Sequence, residues 1–394
     1  MRILWVATKV PWPPVDGGRL VAAVTLEALR AGGHEPTVVA PVDPRQRDRS
    51  AAAARREGWR RVVLVPARPL PSAWAALCGS MGRVPFTVRR RAFPRVRDAV
   101  AALLERATFD VAHAEQLQAL GSLAEAERRR LPVVLRAQNV ESDLWRRASR
   151  TAPVLGPLLR REAERLAAWE AEGVRRSAAT IALASCDAAR LAELAGVPDR
   201  VRHVPAPFPS RLPPAEGTLP GSPAVVLFGS EGWRPNREGA RWFVDRVWPR
   251  VRAVLPQAEL TVLGLPAEAG PGVRAQPGPA DSRDAFAEGA VLVVPLHVAS
   301  GVRMKIVEAW ARGMPVVATP VAAQGLEATH GRELLLARDA EGFADALRRL
   351  HGEPGLAAAL VAAGRDRLAA RHEPADVAAR LVEVYASARS SDGA

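Results

Sequence analysis

The segment from Ala290 to Glu327 constrains the fold most, because two strand-like apolar runs flank one helical repeat there. The first run extends from Ala290 to Leu296 and the second from Pro315 to Ala318. Between them the apolar residues recur with a helical period before Gly313, which is a typical helix stop. These periodic residues are Met304, Ile306, Val307, Ala309 and Trp310. The pattern predicts a strand–helix–strand unit of a parallel sheet that is buried on both faces.

A short loop, Ser300-Gly301, follows the first of these strands and precedes the helix. Ligands of parallel sheets bind at this edge, and a helix N-terminus favours anions. Arg303 and Lys305 lie in the first helical turn, where the helix dipole does not favour cations. A shared anion such as a diphosphate would explain both cations. Lys305 is one of only two lysines among 55 basic residues, which suits a phosphate contact but equally suits an ordinary surface lysine.

The order of apolar runs predicts an α/β protein with two domains. The chain has 394 residues, enough for two ordinary cores. A Pro- and Gly-rich stretch at 205–223 predicts a linker and hinge between a domain at 1–204 and one at 224–373, followed by a final helix and tail at 374–394. Because strands and helices alternate on both sides of the linker, we expect two Rossmann-like domains.

The individual elements follow from the same periodicities. Predicted strands cover residues 3–7, 34–40, 61–66, 109–114, 131–137, 180–184, 201–204, 224–228 and 260–263. Predicted helices cover residues 19–31, 94–107, 158–176, 186–194, 280–287, 341–350, 354–369 and 374–388, with one more starting near Arg237. Ser185 and Asp281 are the expected N-caps of two of them.

Composition excludes several classes of partner. The net charge is +13, but the arginines are scattered and no basic stripe is interleaved with aromatic residues, so we expect no nucleic acid. Cys78 and Cys186 are far apart, which predicts neither a disulfide framework nor a metal site. Because no apolar run reaches about 18 residues and no signal peptide is visible, we expect a cytoplasmic protein. Residues 68–95 are rich in Pro, Trp and Arg and suit a peripheral membrane contact or a lipid-linked acceptor.

Polar side chains follow two strands of the first domain. His113 and Glu115 end one strand, and Gln138, Asn139 and Glu141 follow the next. This crowding predicts a cleft at the carboxyl ends of the strands. The alternatives stay open: His113 could bond a neighbouring backbone group, and Asn139 could be a cap.

Another glycine-rich loop follows the first predicted strand. The segment TKVPWPPVDGG ends in Gly17-Gly18 just before a helix. Bare backbone N–H groups at such a place can approach a phosphate. A Gly-Gly pair after Pro is also an ordinary turn, and the pair matches no longer phosphate-binding motif.

Several stretches together resemble glycosyltransferase family 4, whose members have the GT-B fold. They are PPVDGG, FDVAHAEQ, RAQNVES, GSEGWRPNREG and VVPLHVASGVRMKIVEAWARGMPVVAT. The resemblance implies two domains facing a central cleft, with the last helix crossing back onto the first domain. It also implies that the second domain binds a nucleotide diphosphate-sugar and the first an acceptor, a glycan, lipid-linked or small-molecule hydroxyl. Transfer would retain the anomeric configuration and use no metal or other cofactor.

The resemblance also implies roles for individual residues. Glu308 matches the second glutamate of the family's Glu-x7-Glu motif, which binds the nucleotide ribose, and Gly17-Gly18 would approach the diphosphate or sugar. The first glutamate of the motif is replaced by Ser300, so the backbone N–H groups of Gly301 and Val302 are candidates for its role.

Three further family positions are changed. Ser230 and Asn236 stand where many relatives have a cationic pair, so we expect Arg303 and Lys305 to replace those charges. Gln138 stands where a histidine is common, which leaves His113 as the histidine of the catalytic set. Three hypotheses therefore compete: a sugar transferase, a nucleotide-sugar 2-epimerase of the same fold, and a non-catalytic partner subunit.

Overall fold

The computed structural model describes residues 1–71, 84–150, 154–279 and 282–391. Its contacts divide the chain into two compact units. The first unit comprises Met1–Pro207 together with Pro374–Ala394, and the second comprises Phe208–Glu373. The chain therefore passes between the units twice, once inside the Pro-rich stretch and once just before the final helix.

The first unit is built on a seven-stranded parallel sheet with the order β3-β2-β1-β4-β5-β6-β7. Its strands are β1 Arg2–Ala7, β2 Glu35–Val42, β3 Val62–Pro66, β4 Val111–Glu115, β5 Val133–Ala137, β6 Ala179–Ala182 and β7 Val201–His203. Its helices up to residue 128 are α1 Gly17–Ala31, α2 Arg47–Arg56, α3 Phe86–Arg90, α4 Pro94–Arg106 and α5 Ala124–Arg128. The later ones are α6 Glu141–Arg150, α7 Gly156–Arg176 and α8 Ser185–Ala195. This sheet order is that of a Rossmann-like doubly wound domain.

The second unit repeats this architecture with a six-stranded parallel sheet, ordered β10-β9-β8-β11-β12-β13. Its strands are β8 Ala224–Phe228, β9 Glu259–Leu263, β10 Val273–Gln276, β11 Val291–Val294, β12 Val316–Ala318 and β13 Leu335–Leu336. Its helices are α9 Arg234–Trp242, α10 Trp248–Val254, α11 Met304–Arg312, α12 Pro320–Ala323, α13 Ala340–Gly352 and α14 Leu356–Arg371. Two parallel α/β units confirm the predicted fold class.

The final helix, α15 Pro374–Ser391, belongs to the first unit, as predicted. It packs against α1 and contributes Val377, Leu381 and Tyr385 to the core of that unit. Val377 and Leu381 are buried in that core, whereas Val384 is only partly buried against it. Tyr385, the only tyrosine of the chain, lies at 0% exposure and was not anticipated.

The sequence misjudged several local elements. Ser185 was the expected N-cap of α8, but Ala184 holds that position and Ser185 is the first helical residue. The helix expected from Arg237 begins earlier, at Arg234. Of the helix expected at 280–287, only a 3-10 turn at Ser282–Ala285 is described, and Asp281 lies outside the described residues. Several elements were missed because they are short or mostly polar or exposed, among them α2, α6 and β10.

We predict that Leu381→Ala destabilises the first unit by about 2–5 kcal/mol, because it removes a fully buried side chain from that core. Exposed Arg380 on the same helix is the control, and Arg380→Ala should change stability by about 0.5 kcal/mol at most. Chemical denaturation of both variants measures the difference. Equal stabilities would show that α15 is not part of the cooperative core.

Candidate functional site

In the second unit, the loop after β11 leads into α11 as the sequence predicted. Gly301 is buried and has a φ of 75°, a left-handed conformation that favours glycine. Arg303 is the N-cap of α11 and makes no capping bond with its side chain. Gly313 ends the helix, also in the left-handed conformation. The structure thus places the positive end of a nine-residue helix directly after the Ser300-Gly301 loop.

Lys305 joins this helix to the neighbouring strand β8. Its Nζ donates a hydrogen bond to the carbonyl oxygen of Phe228 at 2.6 Å and lies 4.9 Å from the centre of the Phe228 ring. Burial, together with the nearby charge of Arg303, lowers the pKa of Lys305 from 10.5 to about 7. No carboxylate of the described residues forms a salt bridge with Lys305. A cation held by a neutral carbonyl is well suited to receive an anionic ligand.

Arg303 lies beside the loop that follows β8. Its guanidinium carbon is 5.6 Å from the centre of the Trp233 ring. Since Lys305 contacts Phe228 at the end of the same strand, both predicted cations adjoin the β8 loop, where the two uncharged positions were noted. The structure therefore brings Arg303 and Lys305 close to the loop that carries Ser230 and Asn236.

Ser230 and Asn236 have different environments within that loop. Ser230 is exposed, whereas Asn236 is buried and its Nδ2 donates to the Ser230 carbonyl oxygen at 3.2 Å. A Cβ added to Gly229 would lie 2.5 Å from Asn236 Nδ2, so this close approach requires glycine. Asn236 therefore shapes the loop, while Ser230 is available at its surface.

Glu308 lies one turn into α11 and is 5% exposed, which excludes a solvated surface carboxylate. Arg312 Nε donates to its Oε1 at 2.9 Å, and the Ser282 hydroxyl lies 3.3 Å from its Oε2. Arg312 also donates to the Pro213 carbonyl oxygen at 2.6 Å. Sequence reasoning missed both partners, although the i, i+4 spacing of Glu308 and Arg312 on a helix could have indicated one of them.

In the first unit, Gly17 and Gly18 open α1. The preceding residue, Asp16, caps the helix by accepting from the Arg19 N–H at 3.0 Å. Lys9, the other lysine, lies 3.3 Å from the Asp16 carboxylate. Burial alone would raise the pKa of Asp16, but Lys9 and the Arg19 N–H outweigh it and hold that pKa low. This end of α1 thus already has a carboxylate at the position that a phosphate would take.

Gln138 lies directly against the glycine pair. Its Nε2 donates to the Gly18 carbonyl oxygen at 3.2 Å and to Glu115 Oε1 at 2.7 Å. A Cβ added to Gly18 would lie 2.6 Å from Gln138 Oε1. The predicted grouping of the ends of β4 and β5 is therefore real, and it includes the N-terminus of α1.

His113, in contrast, lies in the interior of the first unit at 0% exposure. Its ring stacks on Trp5 with a centroid distance of 3.7 Å, and its Nδ1 is 2.7 Å from the Tyr385 hydroxyl. Burial lowers the pKa of His113 to about 4, against the opposing effect of Glu115, so the imidazole is neutral at pH 7. The structure does not place His113 among the accessible site residues. Its side chain projects from the fully buried strand β4 into the interior of the unit.

Asn139 and Glu141 line a small cavity at the same sheet edge with Glu170, a residue that the sequence did not indicate. Glu170 accepts from the Glu141 N–H at 2.6 Å and from the Ser142 hydroxyl at 2.5 Å, so it caps α6 from the middle of the next helix, α7. Burial raises the pKa of Glu170 to about 8. Such a cap is invisible in sequence because its members are far apart in the chain.

Two general observations complete the site. Within the described ranges, no group of three or more His, Cys, Asp or Glu side chains is arranged to hold a metal ion. None of the described helices is long and apolar enough to span a membrane. Cys78 and residues 72–83, the middle of the stretch with a predicted membrane contact, lie outside the described residues.

Comparison with protein families identifies the class. The model described as "Glycosyl transferase 4-like domain" matches residues 16–207, and that described as "Glycosyl transferases group 1" matches residues 222–353. Together with the two Rossmann-like units, these matches define a glycosyltransferase of the GT-B fold. More specifically, the chain belongs to the family-4 type of these enzymes. No curated protein sequence matches the chain.

Solved structures agree with this fold. Sucrose-phosphate synthase from Thermosynechococcus elongatus has a TM-score of 0.73 and 17% identity, over 99% of this chain and 100% of that chain. Anabaena HepE in complex with UDP and glucose has a TM-score of 0.67 and 15% identity, over 98% of this chain and 100% of that chain. TarM has a TM-score of 0.69 and 8% identity, over 98% of this chain and 98% of that chain. At these identities the likeness concerns the fold.

The pKa of Lys305 predicts a pH-dependent stability. Between about pH 7 and pH 10.5 the unfolded chain binds more protons than the folded one, so this residue makes the free energy of unfolding rise with pH in that window. In denaturation curves measured across this window, the free energy of unfolding should therefore rise more steeply with pH for the wild type than for Lys305→Met. Parallel pH dependences would contradict the environment described for Lys305.

Proposed function

We propose that this glycosyltransferase moves a sugar from a nucleoside diphosphate-sugar to a hydroxyl acceptor, with retention of the anomeric configuration and without a metal ion. The observation that carries the proposal is the grouping of Arg303, Lys305 and Glu308 at the N-cap and in the first turns of α11. Two cations and a helix N-terminus suit a diphosphate, and a buried carboxylate one turn later suits the hydroxyls of a ribose.

The diphosphate gains negative charge as the bond to the sugar breaks. Cations placed where that charge develops stabilise the transition state more than the ground state. The ammonium of Lys305 adjoins a neutral carbonyl and the Arg303 guanidinium lies over the Trp233 ring, so both cations lie beside the loop after β8, where such a ligand would bind. A bound diphosphate would also raise the pKa of Lys305, because an opposite charge favours its protonated form.

Glu308 is oriented before any ligand binds. Arg312 and Ser282 hold its carboxylate from two sides, and burial keeps water from competing. A carboxylate accepts at several positions, so ribose hydroxyls can donate to it while Arg312 stays in place. Uridine nucleotides are the donors to test first, because HepE and a TarM variant were solved with UDP.

The first unit is proposed to bind the acceptor at the carboxyl edge of its sheet. Gln138 and Gly18 lie at that edge and present polar groups that do not themselves titrate. A departing phosphate oxygen then takes the acceptor's proton, which needs no histidine at position 138. His113 acts from the interior, as a residue that positions others.

Sugar nucleotides alone separate the three hypotheses. The purified protein is incubated with UDP-sugars, with and without a panel of glycan, lipid-linked and small-molecule hydroxyl acceptors. A transferase releases UDP and forms a glycoside only with an acceptor, whereas an epimerase changes the sugar nucleotide by itself. Donor binding without any turnover would support a non-catalytic subunit and overturn the proposal.

We predict that Glu308→Gln raises the dissociation constant of UDP about tenfold, or about 1.4 kcal/mol, because the amide is a weaker acceptor for ribose hydroxyls. Isothermal titration calorimetry measures this change. Glu341→Gln, an exposed carboxylate in the first turn of α13, is the matched control and should bind UDP normally. Wild-type affinity in a folded Glu308→Gln protein would remove Glu308 from the donor site.

We predict that Lys305→Ala lowers kcat about a hundredfold, or about 2.7 kcal/mol, the scale of losing one preorganised electrostatic group. Arg303→Ala should act similarly or somewhat less. Exposed Arg348, paired with Asp345 on α13, provides the control, and Arg348→Ala should leave kcat unchanged. If steady-state kinetics gave near-normal kcat for both site variants, the diphosphate would be held by backbone N–H groups instead.

A further inference from the structure

The only tyrosine of the chain connects the final helix to the edge of the first sheet through buried side chains. The Tyr385 hydroxyl lies 2.7 Å from His113 Nδ1, and His113 Nε2 lies 3.2 Å from Glu115 Oε2. Glu115 Oε1 accepts from Gln138 Nε2 at 2.7 Å, and that nitrogen also donates to the Gly18 carbonyl oxygen at 3.2 Å. These five residues form a continuous path, which we call the Tyr385 relay.

The charges around Glu115 decide the direction of each hydrogen bond. Arg136 is 2% exposed and donates to Glu115 Oε2 from Nε at 2.9 Å and from Nη2 at 2.6 Å. Burial by itself would raise the pKa of Glu115, but Arg136 outweighs it and lowers that pKa. Glu115 is therefore an acceptor only, so His113 must donate from Nε2.

The tautomer of His113 then determines the role of Tyr385. A neutral imidazole that donates from Nε2 can only accept at Nδ1, so the Tyr385 hydroxyl donates to it. Stacking on Trp5 and the edge contact with Tyr385 fix the plane of the ring, and the bond to Glu115 distinguishes its two nitrogens. Both hydrogen bonds are therefore donated in the same direction, from the Tyr385 hydroxyl to His113 and from His113 to the Glu115 carboxylate at the end of β4.

At the other end, the relay holds the Gln138 amide in one orientation. With its nitrogen directed to Glu115 and Gly18, its oxygen accepts from Gln116 Nε2 at 3.0 Å. Gln116 has a φ of 74°, a strained conformation for a residue with a Cβ, which surrounding contacts must maintain. The Thr8 hydroxyl completes these contacts at 2.5 Å from Gln116 Oε1.

We propose that Tyr385, His113 and Glu115 are positioning residues through which the final helix orients Gln138 and the start of α1 for sugar transfer. This inference rests on the proposed function for its kinetic consequence, but not for its structural one. The final helix belongs to the first unit although the whole second unit precedes it in the chain. The Tyr385 hydroxyl therefore reaches His113 only when α15 is docked on the first unit. The orientation of Gln138 then depends on that docking.

The principal test is Tyr385→Phe, which keeps the buried ring and removes only the hydroxyl. We expect kcat to fall about tenfold through misplacement of Gln138, while the dissociation constant of UDP stays unchanged. The amide of Arg19, in the first turn of α1, should exchange faster with solvent in this variant. Ser177→Ala is the matched control, since the Ser177 hydroxyl is fully buried in the same unit and donates to the Gly173 carbonyl oxygen, away from Gln138 in the described hydrogen bonds.

A double-mutant cycle distinguishes positioning from a general loss of stability. If Tyr385 acts through Gln138, the kcat of Tyr385→Phe combined with Gln138→Met should equal that of Gln138→Met alone. Independent effects would multiply and overturn the proposal. Normal kcat and normal amide exchange in Tyr385→Phe, or equal changes in Ser177→Ala, would overturn it as well.

Imidazole 15N NMR gives a readout that needs no activity. His113 should be the Nε2–H tautomer throughout pH 5–8, since burial keeps its pKa at about 4 and the facing groups are Glu115, Arg136 and Tyr385. Tyr385→Phe should weaken that preference, and Ser177→Ala should not. If the wild type transferred no sugar, the proposed function alone would fail, and the NMR and amide-exchange results would still decide the relay.

Discussion

Burial of parallel strands on both faces is the constraint on which the rest of this structure depends. A strand covered by helices on both sides must be apolar along its length, so polar chemistry is confined to its carboxyl end and to the loop that follows. Both units obey this rule. In the second unit it places the Ser300-Gly301 loop before the positive end of α11, and in the first it gathers Glu115, Gln138 and Gly18 at one edge.

The exceptions to this rule are equally informative. His113 and Arg136 point into the interior of the first unit, where an unpaired polar group would cost several kcal/mol. Their hydrogen bonds join them to Glu115 and Tyr385 in one connected set. Because such a set is stable only when it is complete, the final helix and the edge of the sheet are structurally interdependent.

The second unit also holds cations at a partly buried position, with fewer hydrogen-bonding partners. Lys305 and Arg303 lie at the helix end that disfavours cations, and Lys305 is bonded to a carbonyl oxygen rather than a carboxylate. The charged form of Lys305 is therefore not stabilised in the folded chain, as its lowered pKa indicates. Under the proposed function this arrangement receives the diphosphate, and Glu308, held by Arg312, lies one turn further along α11.

The sequence by itself determined the α/β class, most strands, the division into two units and the elements that carry Arg303, Lys305 and Glu308, because apolar periodicity reports burial directly. It also indicated that the ends of β4 and β5 come together. Only the tertiary structure decided what each side chain contacts there. His113 and Tyr385 are 272 positions apart, and Glu170 caps a helix 28 positions before it. Such pairings arise from the three-dimensional packing of distant segments, which no local pattern encodes.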